Sequence, residues 1–251
     1  MPKPALSQAT LVKPVSIAPT GRRADWKKTT LVEGFRGGLV SIEDGTLFFT
    51  YLDGRVVMPS NVANEYLKPI DMAVVAGELY VLDGTTLYLL SNTGNRTRVG
   101  EENAAPALRF LAEYDGELWG IEQDGTLHRA DENGVWTTVG SAEGVWPDVS
   151  QFFSFKGQLY ALVGGTLYRC DREVNWQPVG AVGAWSAINY MVPLRNRIWM
   201  SGNSNMIAVD AAGRKTLIGK GRWPRLDALV ALNGALVSID SGGQIAVTTT
   251  R

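Results

Sequence analysis

QFFSFKGQLYALVGGTLYRCDREVNWQPVG, from Gln151 to Gly180, decides the fold. Four short runs rich in aromatic and aliphatic residues, FFSF, QLYAL, TLYRC and WQPVG, are separated by KG, VGG and DREVN. Runs of that length with turn residues between them are strands joined by hairpins, and no helical period is sustained across them. Four strands in about 40 residues is the size of one β-propeller blade.

The stretch is one copy of a repeat. A leucine-like residue that follows a turn falls at Leu47, Leu87, Leu127, Leu167, Ile207 and Ile245, with spacings of 40, 40, 40, 40 and 38. A second marker, in GGLV, GELY, GELW, GQLY, NRIW and GALV, places Leu39, Leu79, Leu118, Leu159, Ile198 and Leu236 in the same register. Two markers agreeing over six copies predict an all-β, six-bladed β-propeller with four-stranded blades.

The ends of the chain predict closure. The last unit, ALVALNGALVSIDSGGQIAVTTTR, stops after its third strand, while ATLVKP at residues 9–14 resembles KTLIGK, the fourth strand at residues 215–220. An N-terminal strand completing the last blade would tie the ring shut and remove its free edges. The expected organisation is a flexible segment over residues 1–8 and a single propeller domain over residues 9–251.

Composition narrows the function classes. The chain has 251 residues, 45% apolar and 20% charged, with 24 basic and 25 acidic side chains and a formal net charge of -1. That is the balance of a globular protein with one substantial core, and a nucleic-acid role is disfavoured by the near-neutral total. No run approaches the roughly 18 consecutive apolar residues of a membrane span, and the N-terminal stretch lacks the apolar core of a secretory signal. The expected location is the cytoplasm, or outside the cell without a recognisable signal peptide. One cysteine, Cys170, excludes an intramolecular disulfide framework, and with one histidine, His128, the usual His and Cys clusters for zinc, copper or haem are impossible.

GELYVLDGTTLYLL, GELWGIEQDGTLHRA and GQLYALVGGTLYRC resemble the G-x-LY and DGTLYR-like strands of sugar-binding propellers of the tachylectin-2 and tectonin type. The resemblance extends over most of the chain as a strand pattern and implies carbohydrate binding. Tachylectin-2 has five blades, so its binding residues have no assigned counterparts here.

The connections between blades contain ADWKK, NEYLKP, NAAPAL, GVWPDV, GAWSAI and GRWPRL. Aligned, they give Trp26, Tyr66, Pro106, Trp146, Trp185 and Trp223, so an aromatic recurs at one loop position in five of six blades. Such a ring can stack on the C–H face of a sugar or on a cation, or it can plug the seam between blades. On the first reading Trp26, Tyr66, Trp146, Trp185 and Trp223 are ligand-binding, with Arg222, Arg225, Asp25 and Asp148 as polar partners. Trp119 and Trp199, matched by Tyr80 and Tyr160 in other copies, read as packing between blades.

Charge is uneven along the ring. Seven basic residues and one acid, Asp210, lie between Arg195 and Arg225, and Arg22, Arg23, Lys27 and Lys28 extend that sector through closure. Eleven acids lie between Glu101 and Asp148 against Arg109 and Arg129. One side could therefore attract an anionic ligand or an acidic protein patch, or the charges could simply be solvated loops.

Catalytic patterns are thin: the chain holds no G-x-S-x-G elbow, no Walker loop and no H-E-x-x-H. His128 stands where other copies have Phe48, Tyr88 and Tyr168, which is a packing position. The aspartates before Gly45, Gly84 and Gly125 are turn residues, with calcium binding by turn carboxylates as an alternative. No catalytic residue, metal ligand or cofactor is assigned. The leading expectation is a non-enzymatic, lectin-like propeller that binds carbohydrate through the loop aromatics. A protein-interaction scaffold and an enzyme with an asymmetric pocket in the central channel are the alternatives.

Overall fold

The computed structural model describes residues 15–17, 20–21, 29–58, 66–140, 146, 148–171, 173–211, 213–218 and 223–249. They form six antiparallel blades and no helix. Blade 1 contains β3 (Thr29–Phe35), β4 (Gly38–Glu43), β5 (Thr46–Tyr51) and β6 (Arg55–Val57). Blade 2 contains β7 (Pro69–Val75), β8 (Glu78–Asp83), β9 (Thr86–Leu90) and β10 (Arg96–Val99). In blade 3 these become β11 (Leu108–Tyr114), β12 (Glu117–Glu122), β13 (Leu127–Ala130) and β14 (Trp136–Gly140). Blade 4 follows with β15 (Val149–Ser154), β16 (Leu159–Val163), β17 (Thr166–Cys170) and β18 (Trp176–Pro178). Blade 5 is β19 (Tyr190–Leu194), β20 (Arg197–Gly202), β21 (Asn205–Asp210) and β22 (Lys215–Ile218).

Blade 6 shows how the ring closes. Its own residues supply β23 (Leu226–Leu232), β24 (Ala235–Asp240) and β25 (Ile245–Thr249), and the fourth strand is β1 (Val15–Ile17) from the other end of the chain. Val15 lies opposite Val247 and Ile17 opposite Ile245. Closure by an N-terminal strand is therefore present and is seen at Val15–Ile17, directly after the ATLVKP stretch; residues 9–14, like residues 1–8, lie outside the described residues. A short β2 (Thr20–Gly21) adds in parallel to β6 and gives the first sheet a fifth strand.

The innermost strands β3, β7, β11, β15, β19 and β23 neighbour one another in a complete circle, with β23 returning to β3. Gly34 makes that last contact possible, because a Cβ there would sit 2.4 Å from the Ala231 carbonyl oxygen. Five of the six hairpins between first and second strands are two-residue turns with positive φ at both positions, Arg36-Gly37, Ala76-Gly77, Asp115-Gly116, Lys156-Gly157 and Asn233-Gly234, while in blade 5 Arg195 has it and Asn196 does not. This is the turn whose twist matches that of the flanking strands, and it explains why an X-Gly step marks the repeat.

There is no single core. Six apolar clusters each draw residues from two adjacent blades: Leu39 and Ile239 at the 6–1 seam, Ile42 and Leu79 at 1–2, Leu82 and Leu111 at 2–3. Ile121 packs with Leu159 at 3–4, Leu162 with Ile198 at 4–5, and Met206 with Leu236 at 5–6. Burial on both faces of the second strand explains its unbroken apolar runs, such as LYALV in β16.

Candidate functional site

The recurring loop aromatic is held by a repeated backbone bond. The N–H groups of Tyr66, Trp185 and Trp223 donate to the carbonyls of Gly45, Gly165 and Ser204, at 2.9, 2.8 and 2.8 Å, so each loop rests on the turn between second and third strands of the preceding blade. Ala105 makes the same bond to Thr85, so it is Ala105, rather than Pro106, that occupies this position before blade 3. Gly45, with φ 76, has to be glycine: a Cβ would lie 2.5 Å from the Tyr66 carbonyl oxygen.

These rings enter the seams. Tyr66, Trp146 and Trp185 are 2%, 8% and 2% exposed and belong to the 1–2, 3–4 and 4–5 clusters, while the half-buried Trp223 packs against the 5–6 cluster. The indole N–H groups of Trp185 and Trp223 donate to the Val179 and Ile218 carbonyls, both at 3.3 Å, which pins each ring to the outer strand of the preceding blade. Trp146 packs at 5.3 Å from Tyr168 and 4.8 Å from Trp176 between ring centres. The Arg96 guanidinium sits 5.1 Å from the Tyr66 ring and 4.5 Å from that of Tyr88, and burial pushes the Tyr66 hydroxyl up to about 12. Of the suggested polar partners, Arg225 and Asp148 are exposed, with Asp148 accepting a 3.0 Å bond from Gln123. Trp26, Asp25 and Arg222 lie outside the described residues.

The central channel is a cavity of about 450 Å³ walled by the six innermost strands. Five of those strands open with a β-bulge, and the next residue along is Leu31, Asp71, Phe110, Gln151 or Ala228; Tyr190 occupies the same position in blade 5. Three of these side chains brace the ring. Asp71 accepts the Leu111 N–H at 2.7 Å, Gln151 accepts the Met191 N–H at 3.4 Å, and the Tyr190 hydroxyl donates to the Asp227 carbonyl at 2.7 Å. Each bond runs from one blade to the innermost strand of the next.

Glu33 and Glu113 add carboxylates to the wall. Glu33 accepts its neighbour's N–H, from Gly34, at 3.0 Å, and Glu113 accepts from Gly116 at 2.9 Å and from the Ser154 hydroxyl at 3.5 Å. Around them stand Met72, Phe110, Phe152, Phe153, Met191 and Val192. Glu33 and Asp71 are half-buried on the channel wall. Burial pushes Glu33 up to about 8, against the Gly34 bond and with help from the Asp71 charge. Burial likewise pushes Asp71 up to about 7, against its backbone bonds and the pull of Arg109.

Neither channel carboxylate stood out in the sequence reading, which followed the repeat. The available signal is an acid inside an apolar inner strand, TTLVEGF or PIDMAVV, at a position where the other copies differ. The residues singled out for chemistry lie elsewhere. His128 is buried in β13, with Nε2 at 2.6 Å from Glu122 Oε1 and Nδ1 at 3.3 Å from the Thr138 hydroxyl. Cys170 is buried at the 3–4 seam, and desolvation pushes its thiol up to about 12. Among the described residues no three His, Cys, Asp or Glu side chains are grouped to hold a metal ion.

By sequence, no family model and no curated protein matches the chain. By structure it is similar to catalytically inactive virginiamycin B lyase from Staphylococcus aureus crystallised with quinupristin, with a TM-score of 0.64 and 11% identity over 95% of this chain and 88% of that one. A structural-genomics protein of unknown function from Bacteroides thetaiotaomicron gives a TM-score of 0.73 at 11% identity, covering 95% of this chain and 76% of that one. PorZ, a surface component of the type-IX secretion system of Porphyromonas gingivalis, gives 0.62 at 12% identity, covering 89% of this chain and 32% of that one. At these identities the likenesses establish the propeller fold, a scaffold that serves ligand binding and protein interaction, and they do not single out the tachylectin-2 and tectonin type.

Proposed function

We propose that the protein is a binding propeller that takes a small ligand into its central channel. The observation carrying this reading is chemical asymmetry: one cavity of ligand size, about 450 Å³, is lined by the same strand of every blade but by different side chains from each. A carbohydrate role for the loop aromatics rests on Trp223, the one of the four described rings that keeps an open part, with the exposed Arg225 close by in sequence. Tyr66, Trp146 and Trp185 already spend their faces on the seams.

The test is a thermal-shift screen of small organic ions and sugars against wild type, Ser154→Trp, which fills the channel, and Trp223→Ala. Stabilising compounds that lose their effect in Ser154→Trp and keep it in Trp223→Ala support the channel. The reverse pattern refutes it in favour of a sugar platform at Trp223.

A second reading has its own support. Two carboxyls held near neutrality in one cavity are suited to general acid and base chemistry. Turnover of glycosides or esters that disappears in Glu33→Gln would replace binding by catalysis.

A further inference from the structure

We propose that the channel holds one small organic cation, an ammonium or guanidinium group on an apolar body, with the charge between Glu33 and Asp71. This rests on the channel being the ligand site. The lining contains carboxylates, an amide and hydroxyls together with apolar side chains, and among the described residues no lysine, arginine or histidine. The charged and titratable groups facing the pair can be counted strand by strand. β7 brings Asp71, β11 brings Glu113 with Arg109 exposed at its bulge, and β19 brings Tyr190 with Asp227 behind it; β15 brings only Gln151 and Ser154, and β23 lines the cavity with Leu229, Val230 and Ala231.

Most polar groups there are already committed. Gln151 and Tyr190 spend their bonds on the next blade, and Asp71 holds the Leu111 N–H. Glu33 is the exception: Gly34 bonds one oxygen, and the other accepts no hydrogen bond from the described residues. A half-buried carboxylate with an open oxygen, a second carboxylate on the neighbouring strand and no cation in the cavity lining is costly to ionise. A ligand cation relieves that cost and gains charge-assisted hydrogen bonds. Phe110, Phe152 and Phe153 offer the remaining wall to an apolar body.

The experiment is isothermal titration of the whole chain with benzylammonium, benzyl alcohol and benzoate, repeated on Glu33→Gln, Asp71→Asn and Ser154→Trp. The amide oxygen introduced by Asp71→Asn keeps an acceptor for the Leu111 N–H, and circular dichroism checks that each variant is folded. Saturable one-to-one binding of benzylammonium, weakened about tenfold or more in Glu33→Gln and Asp71→Asn and abolished in Ser154→Trp, supports the inference. Its affinity should also rise between pH 6 and pH 8, by up to about tenfold per pH unit, as the carboxyls ionise. Benzyl alcohol or benzoate binding as tightly as benzylammonium, lost in Ser154→Trp and kept in Glu33→Gln, overturns the cation and leaves the channel reading intact. Benzylammonium binding that survives Ser154→Trp overturns both. Absence of saturable heat with any probe overturns the cation inference, and the channel reading then stands or falls on the broader screen.

Discussion

Replacing Trp185 by alanine separates the two roles open to the loop aromatic. The ring is 2% exposed, touches the 4–5 cluster, donates its indole N–H to Val179 and lies 3.8 Å below the Lys215 ammonium. Truncating a buried Trp costs about 3–5 kcal/mol through lost transfer free energy and the cavity left behind. The Val179 carbonyl loses a partner at the same time, and the cation contact adds about 0.5–1 kcal/mol. Backbone relaxation offsets part of this, since the loop stays tied to Gly165. The expected loss is therefore about 3–5 kcal/mol, or roughly 6–20 °C in Tm for a chain of this size. Urea unfolding followed by circular dichroism and by the remaining tryptophans measures it. A loss below about 1 kcal/mol, accompanied by loss of ligand affinity, would refute the seam assignment, because a ring that carries no packing energy is free to serve a ligand.

Other outcomes follow from the same geometry. Glu33 is raised from 4.5 to about 8 in the folded chain, so the folded state holds the proton more tightly and stability falls as pH rises from about 4.5 to 8. Glu33→Gln should flatten that decline and stabilise the protein at pH 8 and above, by on the order of a few kcal/mol, in urea titrations at several pH values. Ser16→Pro should break the β1–β25 ladder at the Ser16 and Ala246 pair, lower the urea midpoint and promote association through the uncovered edge, read by light scattering. Cys170 should resist thiol reagents at pH 8 until denaturant is added, because only about one thiol in ten thousand is ionised when the group titrates near 12. His128→Ala should cost about 2–4 kcal/mol in urea unfolding by opening a cavity and stripping Glu122 and Thr138 of their shared partner.

The ring was legible because its parts are repeated and its chemistry is local. Leu47, Leu87, Leu127, Leu167 and Ile245 recur because each seam needs the same apolar side chain, a place that Met206 rather than Ile207 takes in blade 5, and X-Gly recurs because five of the six first hairpins need positive φ at both turn positions. Closure was legible as a missing fourth strand supplied from the other end of the chain, and the described part of that strand, Val15–Ile17, directly follows the ATLVKP stretch. The loop aromatics were found by spacing, yet spacing is blind to whether a ring turns into a seam or out to solvent. Gly165, Val179 and Lys215, which hold Trp185 inward, come from other parts of two blades.

The channel was hidden for a reason that belongs to rotational symmetry. A residue that stabilises a seam contributes once per blade, so copying it six times multiplies its benefit and leaves a period in the sequence. A ligand on the axis meets every blade once, and an asymmetric ligand cannot match six identical groups. A site there has to be built from positions where the copies disagree, as Asp71, Phe110, Gln151 and Tyr190 do on the channel wall while Leu31 and Ala228 at the matching positions pack into the seams. Disagreement also arises where selection is weak, so it becomes informative only when joined to cost. Glu33 and Asp71 meet that condition, since setting two half-buried carboxylates in a channel whose lining holds no cation opposes their ionisation, and a leucine like that at residue 31 would remove the penalty. Their presence against that penalty is the physical reason to look for the ligand at the axis rather than at the seams.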